Sequence, residues 1–135
     1  MTVTSTFDVT GWEPTPTDTP EAGPGLSRVA LTKTYAGGFA GTSSGEGLFC
    51  GMSAPEAGAG YVVSERLAGR IGEREGTFVI QHGGLMGPEV APHTFGSIVP
   101  GSGTGALAGI AGTVQIMQAD GTHTMTLEVT LPPEA

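Results

Sequence analysis

Alternation of polar and apolar residues with a period of two, at both ends of the chain, is the feature that most limits the fold. In "THTMTLEVTL", residues 122–131, one face carries threonines and a glutamate, and the other carries His123, Met125, Leu127, Val129 and Leu131. "TVTSTFDVT", residues 2–10, alternates in the same way, with Val3, Phe7 and Val9 on one face. Because successive side chains of a strand point to opposite faces, both segments predict strands with one wet and one buried face.

Between these two segments helical spacing is almost absent, whereas short apolar runs bounded by Gly, Pro or Asp-Gly recur. The runs predict strands near residues 26–36, 40–53, 59–71, 76–83, 92–99 and 106–118. The short connections in "IGEREGTF" and "QADGTH", the second with an Asp-Gly hairpin signal, favour antiparallel neighbours. We therefore predict an all-β, eight-stranded antiparallel up-and-down barrel, with an interior that holds side chains or one small ligand.

One domain is predicted over residues 1–135, because a chain of this length leaves little room for a second. The long irregular piece is "EPTPTDTPEAGPG", residues 13–25, and its prolines favour a surface loop or a lid over the barrel mouth.

The charge of the chain argues against two classes of partner. Thirteen acidic and five basic residues give a net charge of −8, which repels nucleic acid and anionic membrane surfaces. The single cysteine, Cys50, cannot form an internal disulfide, and the first residues resemble no secretory leader. No apolar stretch has the length of a membrane helix. A cytoplasmic protein is expected.

The glycine-rich stretch "VPGSGTGALAGIAG", residues 99–112, invites comparison with a phosphate-binding loop. It contains no lysine, which a Walker loop requires. The residues that follow, with Thr113, Val114 and Ile116, favour a strand over the helix that a dinucleotide fingerprint needs. We expect no nucleotide or other cofactor, and interpret the glycines as a tight connection with close backbone approach at a barrel corner.

Four segments together resemble a known family: "SRVALTKTYAGGFAGTSSGEGL", "GEREGTFVIQHGG", "IVPGSGTGALAGIAGT" and "GTHTMTLEVTLP". They are similar to the bacterial proteins grouped as DUF3224, over most of residues 5–132. Ala106 stands where that family commonly has Glu, and "GLMGPEVAPHTFGS" also departs from its pattern. The family resembles the allene oxide cyclase barrels, which implies a small eight-stranded antiparallel barrel. Related barrels include cofactor-free cyclases of fatty-acid epoxides and polyketides. They often associate, which implies a homo-oligomer through the Thr-rich outer faces as one expectation.

Alternation places several polar groups on faces predicted to be buried. Lys33 lies beside Val29, Leu31 and Tyr35, and Glu65 beside Tyr61, Val63 and Leu67. Glu46 is predicted to share a face with Leu48, Cys50 and Met52, although a solvated strand end is the alternative. A buried Glu65 must be paired, hydrogen-bonded or protonated. It is either a structural ion pair with Lys33 or a proton-transfer group.

Candidate site residues follow from the same pattern. Glu65, His82 and Tyr61 are the candidate catalytic residues; if Phe78 and Ile80 face inward so does His82, and if Val79 does, Gln81 faces inward instead. The candidate substrate-binding residues are Trp12, Tyr35, Phe49, Cys50, Met52, Gln81, Phe95 and His123. His82, His93 and His123 are too scattered for a metal-ligand spacing, so no metal is expected.

Two functions from different classes agree with these residues. The first is a cofactor-independent cyclase or isomerase acting on a small, mostly apolar substrate, polyketide-like or epoxide-bearing, in the lumen. The second is a lipocalin-like carrier without turnover. A packed barrel used only for protein contact is a third reading, and it predicts no cavity.

Overall fold

The computed structural model describes residues 1–133, and its eight strands close into a barrel in sequence order, each antiparallel to its neighbours. The strands are β1 Thr2–Pro16, β2 Leu26–Gly37, β3 Phe39–Cys50, β4 Ala59–Ile71, β5 Arg74–Gly87, β6 Val90–Ile98, β7 Ala111–Ala119 and β8 Thr122–Thr130. Short 3-10 turns lie at Pro55–Ala57 and Gly105–Leu107. The predicted all-β antiparallel barrel is confirmed. Residues 134 and 135 of the predicted domain lie outside the described part.

β1 is longer than the alternation predicts. It continues to Pro16 through a bulge between Val9 and Gly11, so the irregular piece begins at residue 17 and the prediction for residues 13–16 is wrong. The bulge adds one residue and shifts the alternation, so that Val9 and Trp12 both face the lumen, opposite Lys33 and Leu31. Prolines are tolerated in the extension because β8 pairs with β1 only along residues 2–7.

The glycine-rich segment closes one end of the barrel. The prediction of a strand from residue 106 is wrong: residues 99–110, here called the plug, form a loop with a 3-10 turn, and β7 begins at Ala111. Leu107 and Ile110 of the plug are buried in the core. Gly105 and Gly109 adopt φ of 60° and 83°, which L residues with a side chain rarely adopt. The glycines thus serve backbone geometry and close approach.

The plug defines the lower end of the barrel, together with residue 38 and the turn at residues 72–73. The upper end carries the connections at residues 17–25, 51–58, 88–89 and 120–121. The last of these is the predicted Asp-Gly hairpin, with φ of 53° at Asp120 and 76° at Gly121. In the lower half the lumen is filled by one large apolar cluster that includes Phe39, Leu67, Phe78, Ile80, Leu107 and Met125.

The upper end is more open. Among the described residues β6 and β7 pair at one position, Ser97 with Thr113, which lies near the lower end of both strands. Two lumen-facing side chains of β1 stay accessible there, Val9 at 39% and Trp12 at 46%. A smaller apolar cluster of Val29, Leu31, Phe49 and Val63, with Tyr61 packed against it, lines this half. Buried polar residues separate the two clusters: Lys33, Ser43, Glu65 and His82.

Candidate functional site

Glu65 lies at the centre of the barrel, 1% exposed, and receives four hydrogen bonds. Tyr35 Oη and Ser43 Oγ donate to its Oε1 over 2.6 Å and 2.8 Å. Lys33 Nζ lies 2.9 Å from its Oε2 and His82 Nε2 lies 2.7 Å from the same oxygen. The ion pair of Glu65 with Lys33, one of the two alternatives that the sequence left open, is present in the structure. Each carboxylate oxygen has two partners.

Four neighbouring strands, β2 to β5, bring these side chains together because each contributes an inward position. The two of these side chains on β4 and β5, Glu65 and His82, each lie opposite a glycine on the neighbouring strand. A Cβ at Gly45, opposite Glu65, would lie 2.7 Å from the Cβ of Glu65, and one at Gly96, opposite His82, would lie 2.8 Å from the Cβ of His82. Such distances are far below van der Waals contact, so the buried polar cluster depends on these glycines.

The electrostatic balance keeps Glu65 ionised. Burial raises the pKa of this carboxyl, but the hydrogen bond from His82, the charge of Lys33 and the hydrogen bond from Tyr35 lower it by more, to about 2. Burial, followed by the charge of Glu65, raises the pKa of the Tyr35 hydroxyl above its usual range. The Lys33 ammonium also lies 4.4 Å from the centre of the Phe7 ring. The cluster therefore contains a carboxylate held by neutral and cationic donors.

His82 is the one member of the cluster with a free polar atom: its buried Nδ1 has no hydrogen-bond partner among the described residues. Since an ionised carboxylate only accepts hydrogen bonds, Nε2 carries the hydrogen that points to Glu65. In its neutral form, the imidazole then presents a lone pair at Nδ1. Phe78 and Ile80 share the inward face with His82, whereas Gln81 is exposed and donates to Ser64 Oγ, so Gln81 is not a lumen residue.

Aromatic rings lead from the upper mouth to His82. Trp12 meets Phe49 edge-on at 5.1 Å between ring centres, and Phe49 stacks on Tyr61 at 5.3 Å with an interplanar angle of 12°. Tyr61 in turn lies 6.1 Å from the His82 ring. The Tyr61 ring crosses Gly84, where a Cβ would lie 2.9 Å from it. Burial, then the charge of Glu65, raises the pKa of Tyr61, so its hydroxyl remains protonated at neutral pH.

The prediction for β3 placed the wrong face inward. Leu48 is 53% exposed, Glu46 is exposed, and Met52 lies exposed beyond the strand end, so none lines the lumen. Cys50 pairs with exposed Leu26 on the outward face and is only partly buried. The inward positions of β3 include glycines, which have no side chain to signal burial.

Phe95 was also predicted to line the cavity and instead lies on the outer face, 46% exposed. It covers Gly83 of β5, where a Cβ would lie 2.7 Å from its ring. With Arg28, Leu48 and Val62 it borders an outer depression of about 680 Å³. Most of its lining residues face outward, although Val63 and His82 also contribute to its wall.

Two further predicted residues, His123 and Tyr35, lie on the lumen face. His123 is partly buried and faces the lumen, with its ring 5.0 Å from that of Phe7. Tyr35 contributes through its bond to Glu65. Sequence reasoning missed Ser43, which shares the inward face of β3 with Phe39 and Phe49; their spacing by even numbers of residues was the available signal.

Two further properties of residues 1–133 are relevant to the site. No three His, Cys, Asp or Glu side chains stand close enough to hold a metal ion. No helix in this part of the chain has the length and apolar character needed to cross a membrane.

Comparisons with known proteins agree with this architecture. A family model described as a protein of unknown function (DUF3224) matches residues 3–129. A crystal structure of a DUF3224 protein of unknown function from Shewanella oneidensis MR-1 is similar with a TM-score of 0.84 and 36% identity, over 98% of each chain. No curated protein matches. The chain belongs to the DUF3224 family.

Proposed function

We propose that this protein is a cofactor-independent isomerase or cyclase acting on a small, mostly apolar molecule at the upper end of the lumen. The observation that carries the proposal is His82, whose Nε2 is held by Glu65 and whose buried Nδ1 has no partner among the described residues. A base oriented by a carboxylate through one nitrogen, and free at the other, suits proton transfer. A buried unpaired nitrogen costs ~1–3 kcal/mol, and a bound substrate would remove that cost.

The geometry favours different roles from those predicted for the two residues. Glu65 already accepts four hydrogen bonds and its pKa is about 2, so it is a poor proton shuttle. We assign it the role of a positioning residue, which fixes the tautomer of His82 and stabilises the imidazolium formed when His82 takes a proton. His82 is the group assigned to the chemistry.

The shape of the barrel supports entry from above. The plug and the large apolar cluster occupy the lower half, while Trp12 at the upper end is half-exposed and begins the line of rings that reaches His82. Apolar walls with a few placed polar groups are typical of small-molecule sites. Rings that hold a substrate in one conformation also lower the barrier of an intramolecular reaction.

The exposed aromatic wall favours a second candidate, a carrier that binds the same kind of molecule without turnover. The test uses Trp12, the chain's single tryptophan, as a fluorescent reporter of binding, and chromatography to detect product. Polyketide-like ketones and epoxides are screened with the wild type, with His82→Gln, and with Gln81→Ala as a control on the outer face of the same strand.

An isomerase or cyclase is expected to bind and convert one of these compounds, with conversion reduced about 100-fold in His82→Gln and unchanged in Gln81→Ala. Binding in all three proteins with no conversion in any would establish the carrier. Absence of binding by every compound would refute a lumen site for these classes.

A further inference from the structure

We infer that the site selects planar, enolisable ketones and their hydroxyl-bearing enol or phenol forms, and not epoxides; this inference rests on the proposed function of His82. The argument concerns which hydrogen-bonding atoms stay available once the polar cluster has formed. The hydroxyl hydrogens of Tyr35 and Ser43 both point to Glu65. Lys33 forms a salt bridge with the same carboxylate and a cation–π contact with the Phe7 ring. Tyr35 and Ser43 have no further hydrogen to donate, and the Lys33 ammonium, which has three, faces Glu65 and the Phe7 ring.

Two groups beside the aromatic rings have a hydrogen-bonding atom without a partner among the described residues. One is the acceptor His82 Nδ1, to which no described residue donates a hydrogen bond. The other is the Tyr61 hydroxyl, which makes no hydrogen bond within residues 1–133 and stays protonated because burial and Glu65 raise its pKa. Their rings lie 6.1 Å apart and nearly perpendicular, at 78°. The site therefore combines one base with one neutral donor.

This pair matches the removal of a proton next to a carbonyl group. The carbon–hydrogen bond breaks, its proton moves to Nδ1, and its electron pair forms a carbon–carbon double bond. The carbonyl electron pair moves onto oxygen, where the Tyr61 hydroxyl donates a hydrogen bond to the developing charge. The imidazolium is stabilised by the carboxylate of Glu65, and it returns the proton to the enolate oxygen, which converts the ketone to its enol isomer.

An epoxide makes a different demand, because its opening requires full transfer of a proton to the ring oxygen, and the raised pKa of Tyr61 makes its hydroxyl a hydrogen-bond donor but a poor acid. Nε2–H of His82 points to Glu65, and Nδ1 of the neutral ring offers a lone pair. The near-parallel Phe49 and Tyr61 rings, with Trp12 beyond them, favour a flat molecule over a branched aliphatic one.

The experiment uses four bicyclic probes of similar size: β-tetralone, β-naphthol, β-methoxynaphthalene and tetrahydronaphthalene oxide. Exchange of the α-protons of β-tetralone in deuterium oxide is followed by proton NMR, and binding of the others by quenching of Trp12 fluorescence. We expect β-naphthol to bind about tenfold more tightly than its methyl ether, which cannot donate to Nδ1. We expect enzyme-dependent exchange to fall about 100-fold in His82→Gln and in Tyr61→Phe.

Tyr61→Phe keeps the ring that stacks on Phe49, and an unchanged circular-dichroism melt shows that a loss of exchange is not a loss of fold. Conversion of the epoxide without exchange on β-tetralone would overturn this inference and leave the proposed function intact. Binding of the probes without exchange or conversion would overturn both. Quenching abolished by Phe95→Ser, and unaffected by His82→Gln, would place the ligand in the outer depression and also overturn both.

Discussion

The two ends of the barrel are built from the same strands and differ in what fills them. At the lower end the plug inserts Leu107 and Ile110 into a cluster in which Phe39 and Phe78 are fully buried. At the upper end β6 separates from β7, and Trp12 faces the lumen while half-exposed. One end is a packed apolar core, and the other carries half-exposed aromatic rings.

This difference separates the half of the barrel that stabilises the fold from the half that carries the candidate site. The cluster around Glu65 lies at the boundary, anchored from below by Tyr35, which belongs to the large apolar cluster, and reached from above through Tyr61. Charged groups buried at that depth persist only with partners on all sides. We therefore expect the effect of a substitution on folding stability to decrease from the lower end toward the mouth.

The largest loss of stability is expected for Phe78→Ala in the lower cluster. Removing a fully buried ring leaves a cavity and should lower the free energy of unfolding by ~3–5 kcal/mol. Urea denaturation followed by circular dichroism measures the change. Phe95→Ala removes the same ring from the outer face and should cost less than ~1 kcal/mol. Similar losses in the two variants would show that the lower cluster is not the main source of stability.

The next loss is expected for Lys33→Met, which leaves the buried carboxylate of Glu65 without its cation. The cost should be about 3 kcal/mol, somewhat reduced because His82, Tyr35 and Ser43 still donate. The double variant Lys33→Met/Glu65→Leu removes both charges, and it should regain part of that loss in the same urea experiment. A double variant less stable than the single one would mean that the ion pair stabilises the barrel beyond mutual compensation.

The fold followed from local patterns because alternation and turn chemistry act over a few residues. Residues 59–71 matched a strand, and Asp120 and Gly121 formed the expected hairpin, since each signal lies within one segment. The continuation of β1 to Pro16 could not be read in this way. It requires a bulge at Thr10 and an unpaired edge beyond residue 7, both of which are properties of neighbouring strands.

The site was predictable in part for the same reason. Lys33 and Glu65 stood out as charges on apolar faces, and their contact follows from the barrel's register. His82 could not be separated from Gln81, because both faces of that strand are apolar before it. On β3 the inward glycines hid the buried face and exposed Leu48 suggested the opposite one. Which nitrogen of His82 stays free depends on Glu65, on another strand.

The pH dependence of stability tests the buried polar cluster around Glu65. The folded pKa of Glu65, about 2, lies below the usual value of 4.5, so its ionisation stabilises the folded state above pH 4.5. That contribution, up to about 3 kcal/mol, should be lost as the pH falls from 4.5 toward 2. In Glu65→Gln this part of the slope should be missing, so the wild-type advantage should shrink with acidification in urea titrations at pH 7, 4.5 and 3. A constant difference would contradict the assigned ionisation.

The smallest effect on folding is expected at the mouth. Trp12→Ala removes a half-exposed ring whose aromatic neighbour is Phe49, and should cost about 1 kcal/mol in urea denaturation. If the mouth is a binding surface, the same variant should weaken β-naphthol binding about tenfold, as measured by isothermal titration calorimetry. A loss of ~3 kcal/mol or more would mean that Trp12 packs as tightly as the lower cluster. The contrast between the two ends would then be one of shape alone, because the upper end would be a second core.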